Sequence, residues 1–251
     1  MKQKLKRTWG LWRSRLMYRY KPGVHRKLKK FYSQFVRPGD VCYDIGAHLG
    51  NRLKAWLDLG ASRVVGVEPN PYLSRELRHE FGLDNRVILL NQAVGAEEGK
   101  ARFHLSHMTP TISTMAGRHW REQMRKHSSF DVQWDETIEV EVVTLRDVIR
   151  AFGTPSFLKV DVEGMEAEVL LTLHEPVRVV SFEYHNAFPH AWGRCMRILR
   201  SLGDYEFNWS FGESLEFNSE RWLSYDELFD ILDEYTTDDP SGDIYARLRQ
   251  A

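Results

Sequence analysis

The stretch VCYDIGAHLGN, residues 41 to 51, combines the pattern of a buried strand with residues that could hold a nucleotide. Its apolar run ends at Asp44, and a turn containing Gly46 and Gly50 follows. Glycine lets a backbone approach a ligand closely, and the helix that such a turn introduces offers unpaired N–H groups at its start. The segment therefore predicts a nucleotide-binding turn at the end of the first strand.

Three kinds of nucleotide site could use such a turn. A P-loop ends in Gly-Lys-Ser/Thr, which GAHLGN lacks. A dinucleotide fingerprint needs glycine at the position of His48, because glycine there lets the backbone approach a pyrophosphate. The remaining pattern, D-x-G-x-x-x-G, suits a cationic nucleotide without phosphates, and it favours S-adenosylmethionine (SAM) over NAD.

The ends of the next two strands favour the same ligand. Glu68 ends the second strand, and a carboxylate at that edge of a parallel sheet can accept hydrogen bonds from both ribose hydroxyls. Gln92 and Ala93 follow the third strand, on the side where adenine would lie. The residues predicted to bind the cofactor are Asp44, Gly46, Ala47, His48, Gly50, Asn51, Glu68, Pro69, Asn70, Gln92 and Ala93.

Apolar strands alternate with helical patterns from residue 41 onward, which predicts a parallel sheet with helices on both faces. The later strands SFLKVDV and VRVVSFEYH flank the helix EGMEAEVLLTL, and DYEFNWS and DIYARL are predicted as the last two strands. The segment AVGAEEGKARFHLS predicts a short hairpin around residues 97 to 99, and TIEVEVVTL predicts a strand. Residues 106 to 136 are polar and irregular, which suits a lid or substrate loop.

Six segments occur in the order typical of one enzyme family: VCYDIGAHLG, VVGVEPNP, NQAVG, VEVVTLRDVI, FLKVDVEGMEAEVL and GDIYARL. Over roughly residues 38 to 249 the chain resembles the FkbM-type SAM-dependent methyltransferases, and LKVDVEGMEAEVL is the most specific part of the resemblance. The resemblance implies an α/β class I methyltransferase fold, Rossmann-like, with a seven-stranded, mostly parallel sheet that contains one antiparallel strand. It also implies methyl transfer, usually to oxygen and often to a hydroxyl of a sugar or natural product.

Methyl transfer from a sulfonium requires an aligned acceptor whose proton can leave. Asp161 ends the fourth strand and shares a face with Lys159, so we predict that it lies nearest the methyl group, as general base or as anchor of the acceptor hydroxyl. Lys159 would lower the pKa of Asp161 or bind the acceptor. Glu163 and His185 are further candidates, although a first-turn helix acid and a hydrogen-bonded edge histidine are equally ordinary interpretations of them.

A metal site is not expected. The four histidines in the irregular region have loose spacing, lack cysteines beside them and do not form H-E-x-x-H; they are His104, His107, His119 and His127. A carboxylate-bound magnesium ion would need several acids to converge near Asp161.

The charge of the chain is divided unevenly. Residues 1 to 39 hold 13 Lys or Arg and no Asp or Glu, whereas the remaining 212 residues hold 22 basic and 35 acidic side chains, a net charge of −13. An acidic body makes a nucleic-acid partner unlikely. Because Cys42 and Cys195 cannot form a disulfide framework, and no signal peptide or membrane-spanning run is found, we expect a cytoplasmic protein, peripheral at most to the inner face of the membrane.

The chain divides into a basic helical arm, residues 1–37, and a methyltransferase domain, residues 38–251. Apolar residues of the arm recur on one helical face, at Leu5, Trp9, Trp12, Leu16 and Tyr20. Three interpretations remain open: a helix on an anionic membrane surface, a helix packed on the domain, and a transit peptide. We expect residues 22 to 36 to pack and residues 1 to 20 to contact a membrane or another anionic partner.

The leading hypothesis is an O-methyltransferase that acts on a hydroxyl of a small molecule, a sugar or a glycolipid. An RNA or protein N-methyltransferase is the rival enzyme. The alternative that is not an enzyme is a catalytically inactive binding module with the SAM-binding fold. The intact set of Asp44, Gly46, Gly50 and Glu68 argues against it.

Overall fold

The structure is a computed structural model that describes residues 2–19, 21–128 and 131–249. The strands are β1 (Val41–Ile45), β2 (Arg63–Val67), β3 (Val87–Leu90), β4 (Ala93–Gly95), β5 (Gly99–Leu105), β6 (Glu136–Thr144), β7 (Phe157–Val160), β8 (Val179–Tyr184), β9 (Tyr205–Phe211) and β10 (Gly242–Leu248). The helices are α1 (Lys2–Ser14), α2 (Val24–Tyr32), α3 (Asn51–Asp58), α4 (Pro71–Phe81), α5 (Arg118–His127), α6 (Leu145–Phe152), α7 (Glu166–Leu170), α8 (Pro189–Leu202) and α9 (Tyr225–Asp233). A π-helical turn (Arg15–Arg19) follows α1, and a 3-10 turn (Pro110–Ile112) precedes α5.

Seven strands form the main sheet, in the order β3-β2-β1-β7-β8-β10-β9. All neighbours are parallel except those of β10, which runs antiparallel to both β8 and β9. This confirms the expected fold, a mostly parallel α/β sheet with one antiparallel strand. The strand order reverses direction between β1 and β7, and such a switch point opens a crevice at the carboxyl ends of the strands.

A second sheet of three strands, in the order β4-β6-β5, lies beside the first and was not predicted. The predicted hairpin around residues 97 to 99 is wrong, because β4 and β5 do not pair with each other. Both pair with β6, β4 in parallel and β5 in antiparallel, so that Val142 is the partner of both Ala93 and Gly99. The chain does bend between β4 and β5, but β6, a longer strand further along the chain, lies between them in the sheet.

The second half of the basic arm belongs to the hydrophobic core. The buried side chains of this segment are Leu28, Phe31, Tyr32, Phe35 and Val36. Phe31 and Phe35 contact Tyr245 of β10, and Tyr32 packs edge-on against Trp56 of α3 and Phe157 of β7. The expected packing of residues 22 to 36 is therefore confirmed.

The first half of the arm presents its apolar residues to solvent. Leu5, Trp9, Trp12 and Leu16 are all exposed, whereas Gly10 and Ser14 are buried against the domain. The fifth predicted member of the face, Tyr20, lies outside the described residues. Within the described ranges, no helix is both long and apolar enough to cross a membrane.

The two halves of the arm should respond differently to mutation. Phe31→Ala removes a buried ring from an aromatic cluster and should lower the free energy of unfolding by about 3–5 kcal/mol. Trp12→Ala removes a larger but exposed ring and should change the free energy of unfolding by no more than about 0.5 kcal/mol. Urea denaturation measures both, and equal losses would show that α1 is as much a part of the core as α2.

Candidate active site

One cavity of ≈ 820 Å³ lies at the carboxyl ends of the parallel strands. The turn after β1, the end of β2 and the residues after β3 form one side of it. The loops after β7 and β8 form the other side, together with the 3-10 turn and α5. The arm closes the rim with Met17 and with residues between Lys21 and Leu28. The cavity thus spans the switch point between β1 and β7.

The glycine turn is wedged tightly between two strands. The backbone N–H groups of Gly46 and Ala47 both donate to the carbonyl oxygen of Val67, at 2.9 and 3.0 Å. Gly46 has a φ of 93°, and a Cβ atom at this position would stand 1.8 Å from the carbonyl oxygen of Asp161. Only glycine fits, both because its φ is positive and because β7 lies so close.

Asp44 lies beneath this turn and does not line the cavity. Its side chain is fully buried, and neither carboxylate oxygen has a hydrogen-bond partner among the described residues. The nearest cation is Arg52, whose Nη1 is 4.0 Å from Oδ1. Burial raises the pKa of Asp44 to about 7, against the opposing effect of Arg52. An unsatisfied buried carboxylate at this place favours a cation in the turn above it, as the ammonium and sulfonium of SAM would supply.

Glu68 holds the turn together and also faces the cavity. Its Oε2 accepts the N–H of His48 and its Oε1 accepts the N–H of Asn70, both at 2.9 Å. Each oxygen retains a lone pair that can accept a ribose hydroxyl. Burial raises the pKa of Glu68 to about 8, against the effect of the two N–H donors.

Most of the predicted cofactor residues meet in the cavity wall. These are Gly46, Ala47, His48, Asn51, Glu68, Pro69, Gln92 and Ala93. Like Asp44, the other two predicted residues lie behind the wall. Gly50 begins α3 with a φ of 77° and packs against Leu77 and Phe81. Asn70 caps α4 by accepting the N–H of Tyr72 at 3.0 Å. These residues shape the site without facing it.

On the opposite side, three of the predicted catalytic residues line the cavity: Asp161, Glu163 and His185. Lys159 does not, because its side chain is fully enclosed. Its Nζ lies 2.5 Å from Oδ1 of Asp243 and 3.5 Å from Oδ2 of Asp161. The predicted role of Lys159 in binding the acceptor is therefore wrong, whereas the alternative role, an effect on Asp161, agrees with this geometry.

Arg52 is a site residue that sequence reasoning missed. Its Nη2 donates to Oδ2 of Asp161 at 3.0 Å, and its side chain lines the cavity. Burial opposes the ionisation of Asp161, but Lys159 and Arg52 outweigh it and hold its pKa below the ordinary value. A signal was present in the sequence: Arg52 stands in the first turn of a helix, where the dipole disfavours a cation unless a carboxylate is near.

Three carboxylates converge on the acceptor side of the cavity. One oxygen from each of Asp161, Glu163 and Glu183 lies within 4.8 Å of the others. Burial, and after it the neighbouring carboxylates, raise the pKa of Glu163 and of Glu183 well above the ordinary value. Such a group can share protons or hold a divalent cation. The described histidines of residues 104 to 127 form no comparable group.

His185 is held in one orientation. Its Nδ1 accepts the N–H of Ala187 at 3.1 Å, so the neutral ring carries its proton on Nε2. Burial lowers the pKa of His185 and so favours this neutral form. In this state the ring offers a donor rather than a base.

The predicted lid region forms the wall over these acids. Thr114 Oγ1 donates to the carbonyl oxygen of Glu163 at 2.6 Å. Trp120 of α5 stacks on Phe188 at 5.8 Å and covers Gly164, where a Cβ would lie 2.3 Å from its ring. Residues 106–136 therefore contain a helix that the sequence did not predict, and they fix the backbone beside Glu163, which has the positive φ of 56° that is rare for this residue type.

The family model of the methyltransferase FkbM domain matches residues 44–235, which include the turn, the carboxylates and the wall. The chain belongs to the FkbM methyltransferase family. It is similar to the 31-O-demethyl-FK506 methyltransferase FkbM of Streptomyces tacrolimicus, with 30% identity over 67% of this chain and 74% of that protein. It is also similar to the 2-O-methyltransferase NoeI of Sinorhizobium fredii, with 27% identity over 64% of this chain and 67% of that protein.

A solved FkbM methyltransferase from Methylobacillus flagellatus has the same fold, with a TM-score of 0.50 and 15% identity. The match covers 87% of this chain but spans only 50% of that one. The chain is thus a methyltransferase with the class I fold.

The glycine turn of this FkbM-family enzyme should not tolerate a methyl group. Gly46→Ala should cost about 1–3 kcal/mol in strain and displace the turn from β7, which should abolish the binding of SAM. Gly153→Ala is the matched control, because Gly153 has the same φ of 93° but a Cβ there would meet nothing within 4 Å. Isothermal titration with SAM compares the two variants, and equal affinity in both would exclude the turn from the cofactor site.

The two buried acids of the turn should make stability depend on pH. The pKa values of Asp44 and Glu68 are raised in the folded enzyme to about 7 and about 8, so the folded state keeps protons that the unfolded chain loses near pH 4. The free energy of unfolding should therefore fall as pH rises from about 5 to about 8. Urea midpoints measured without added ligand test this, and Glu68→Gln should flatten the curve. An identical curve in this variant would show that Glu68 is already ionised.

Proposed function

We propose that this methyltransferase moves the methyl group of SAM to a hydroxyl oxygen of a sugar-containing acceptor, a glycan or a glycolipid. The observation that carries the proposal is one cavity that joins the glycine turn and Glu68 on one side to the carboxylates on the other. The two relatives are both named as O-methyltransferases, which agrees with oxygen as the acceptor atom.

The residues of the turn fit SAM. The sulfonium supplies an electrophilic methyl group when the cofactor is bound. Glu68 would accept hydrogen bonds from the ribose, Gln92 would lie beside adenine, and the turn above Asp44 would receive the positively charged amino-acid part. The absence of a second glycine at His48 disfavours a pyrophosphate at the same place.

The acceptor side suits a neutral molecule with several hydroxyl groups. Carboxylate oxygens accept hydrogen bonds from hydroxyls, and the Nε2–H of His185 offers a donor to an acceptor oxygen. Glu183 and Glu213 add acidic groups to the wall. A phosphate backbone would be repelled here, as it would by the acidic body as a whole, so RNA is the weaker candidate.

We assign different roles to the two neighbouring acids. Asp161 is held by Lys159 and Arg52, and its lowered pKa makes it a weak base but a good anchor for a hydroxyl. Glu163 has a raised pKa, which gives it the higher proton affinity that a general base near neutral pH requires. The preference for Asp161 that the sequence suggested thus shifts to Glu163.

Glu163→Gln should lower turnover by about 10²–10⁴-fold, the usual contribution of a general base, and should leave the affinity for SAM unchanged. Turnover of the parent enzyme should rise with pH as Glu163 loses its proton, and the variant should lack this limb. Asp161→Asn should instead raise the KM for the acceptor more than it lowers kcat. If Asp161→Asn alone removes the pH limb, Asp161 is the base.

Transfer of a labelled methyl group identifies the acceptor. The enzyme is incubated with methyl-labelled SAM and, separately, with oligosaccharides, glycolipids, RNA and protein. We expect label in an alkali-stable methyl ether of a sugar. Label in amino groups of RNA or protein would replace this proposal with N-methylation, and SAM binding without transfer to any pool would favour a binding module. Turnover should survive EDTA; its loss, with recovery on addition of Mg²⁺, would assign the carboxylates to a cation.

A further inference from the structure

Helix α1 has its apolar side turned away from the protein. Five residues form what we call the arm face: Leu5, Trp9, Trp12, Leu16 and Met17. Each of them exposes 41–65% of its surface, and the rings of Trp9 and Trp12 stack at 5.1 Å. In a helix that simply packs on a domain, this side would be buried.

The inward side of α1 is polar. Lys6 donates to Asp135 at 2.8 Å and the guanidinium of Arg7 lies 4.1 Å from the ring centre of Tyr72. In the π-helical turn that follows α1, Arg15 pairs with Glu76. Gly10 allows close approach, because a Cβ there would stand 1.9 Å from the carbonyl oxygen of His107.

These contacts fix which side of α1 faces outward. Pairs of exposed charges and one glycine contact contribute little stability, but they orient the helix. The contacts on the inward side therefore hold the arm face toward solvent. A contiguous apolar surface of this kind marks an interaction site, and paired tryptophans are typical of the boundary between water and lipid.

The charge around the arm face selects the partner. No acidic residue occurs in the first 39 positions, whereas 13 are basic. Exposed cations follow the face directly, at Lys21, Arg26, Lys27 and Lys30. An apolar face with aromatic residues, flanked by Lys and Arg, fits the surface of a bilayer that contains anionic lipids.

The same segment forms the rim of the cavity. Met17 belongs both to the arm face and to the cavity wall, and Lys21, Val24 and Lys27 continue that wall. A surface that contacts the arm face therefore also borders the opening through which an acceptor reaches Asp161 and Glu163.

We propose that the arm face binds an anionic membrane surface and that this contact holds the opening of the cavity against the lipid headgroups. The acceptor is then a headgroup sugar presented by the bilayer, an extension that rests on the proposed O-methyl transfer. The docking itself does not depend on methyl transfer, and it is tested without turnover.

Sedimentation of the full chain with vesicles tests the docking. Vesicles of phosphatidylcholine and phosphatidylglycerol in equal parts should bind the protein, and vesicles of phosphatidylcholine alone should not. The double variant Trp9→Ala/Trp12→Ala should bind the anionic vesicles at least about tenfold more weakly, because it loses apolar area that enters the headgroup region. Arg26→Glu/Lys30→Glu should weaken binding and reduce its dependence on salt.

Leu83→Ala is the matched control. Leu83 is a fully exposed apolar residue just beyond the end of α4, about 10 Å along the helix from Glu76, the nearer of the two α4 residues that the arm contacts. The Leu83→Ala variant should bind anionic vesicles as tightly as the parent protein does. Equal binding by the tryptophan variant, or by neutral vesicles, would overturn the proposal. So would a dimer that light scattering shows to be lost in the tryptophan variant, because the arm face would then join two copies of this chain.

Hydrogen exchange tests the orientation. Anionic vesicles should slow amide exchange in residues 5 to 28, which cover the arm face and the rim, and leave residues 82 to 86 unchanged. Protection of α1 without the rim would mean that the opening faces away from the bilayer.

Discussion

A cation enclosed in the main sheet constrains much of the acceptor side. Lys159 has no access to solvent, and a buried charge without partners would cost several kcal/mol, so carboxylates must reach it. Asp243 comes from the antiparallel strand β10 and Asp161 from the end of β7. The intervening strand β8 leaves room because the residue paired with Lys159 is the small Ser181. The pair with Asp243 therefore links β7 to β10 across β8, and the pair with Asp161 positions that carboxylate in the cavity.

This arrangement divides the carboxylates of the cavity into two kinds. Asp161 lies between two cations, whereas Glu163 and Glu183 lie beside other acids and, in the part of the chain that the structure describes, have no cation as close. A protein can keep one acid ionised by placing cations beside it, while a second acid a few ångströms away, beside other acids, remains able to exchange a proton. Glu163 also has a positive φ, a strained backbone conformation that the hydrogen bond from Thr114 stabilises.

Features encoded by neighbouring residues were predictable from the sequence. The bounds of helix α4 are encoded locally, since Asn70 caps it, Pro71 opens it and Gly82 follows its last residue. The glycine turn and Glu68 were recognisable because each directly follows an apolar strand in the sequence. Features that depend on distant residues were not predictable. The place of β6 between β4 and β5, and the partnership of Lys159 with Asp243, join segments far apart in the sequence. Arg52 directly follows the predicted residue Asn51, but its partner Asp161 lies more than a hundred positions away in the sequence.

The pairing of β5 with β6 fixes both ends of the segment that forms the wall over the acids. Leu105 and Glu136 face each other at the base of this wall, so the chain between them leaves the second sheet and returns to the same point. A segment whose ends are fixed together can change in length at an entropic cost that grows only with the logarithm of its size. The main sheet, the glycine turn and the ion pairs of the buried lysine are built from residues outside this segment. The region that encloses the acceptor can therefore vary in length and sequence, provided that it keeps Thr114, whose hydrogen bond holds the backbone of Glu163.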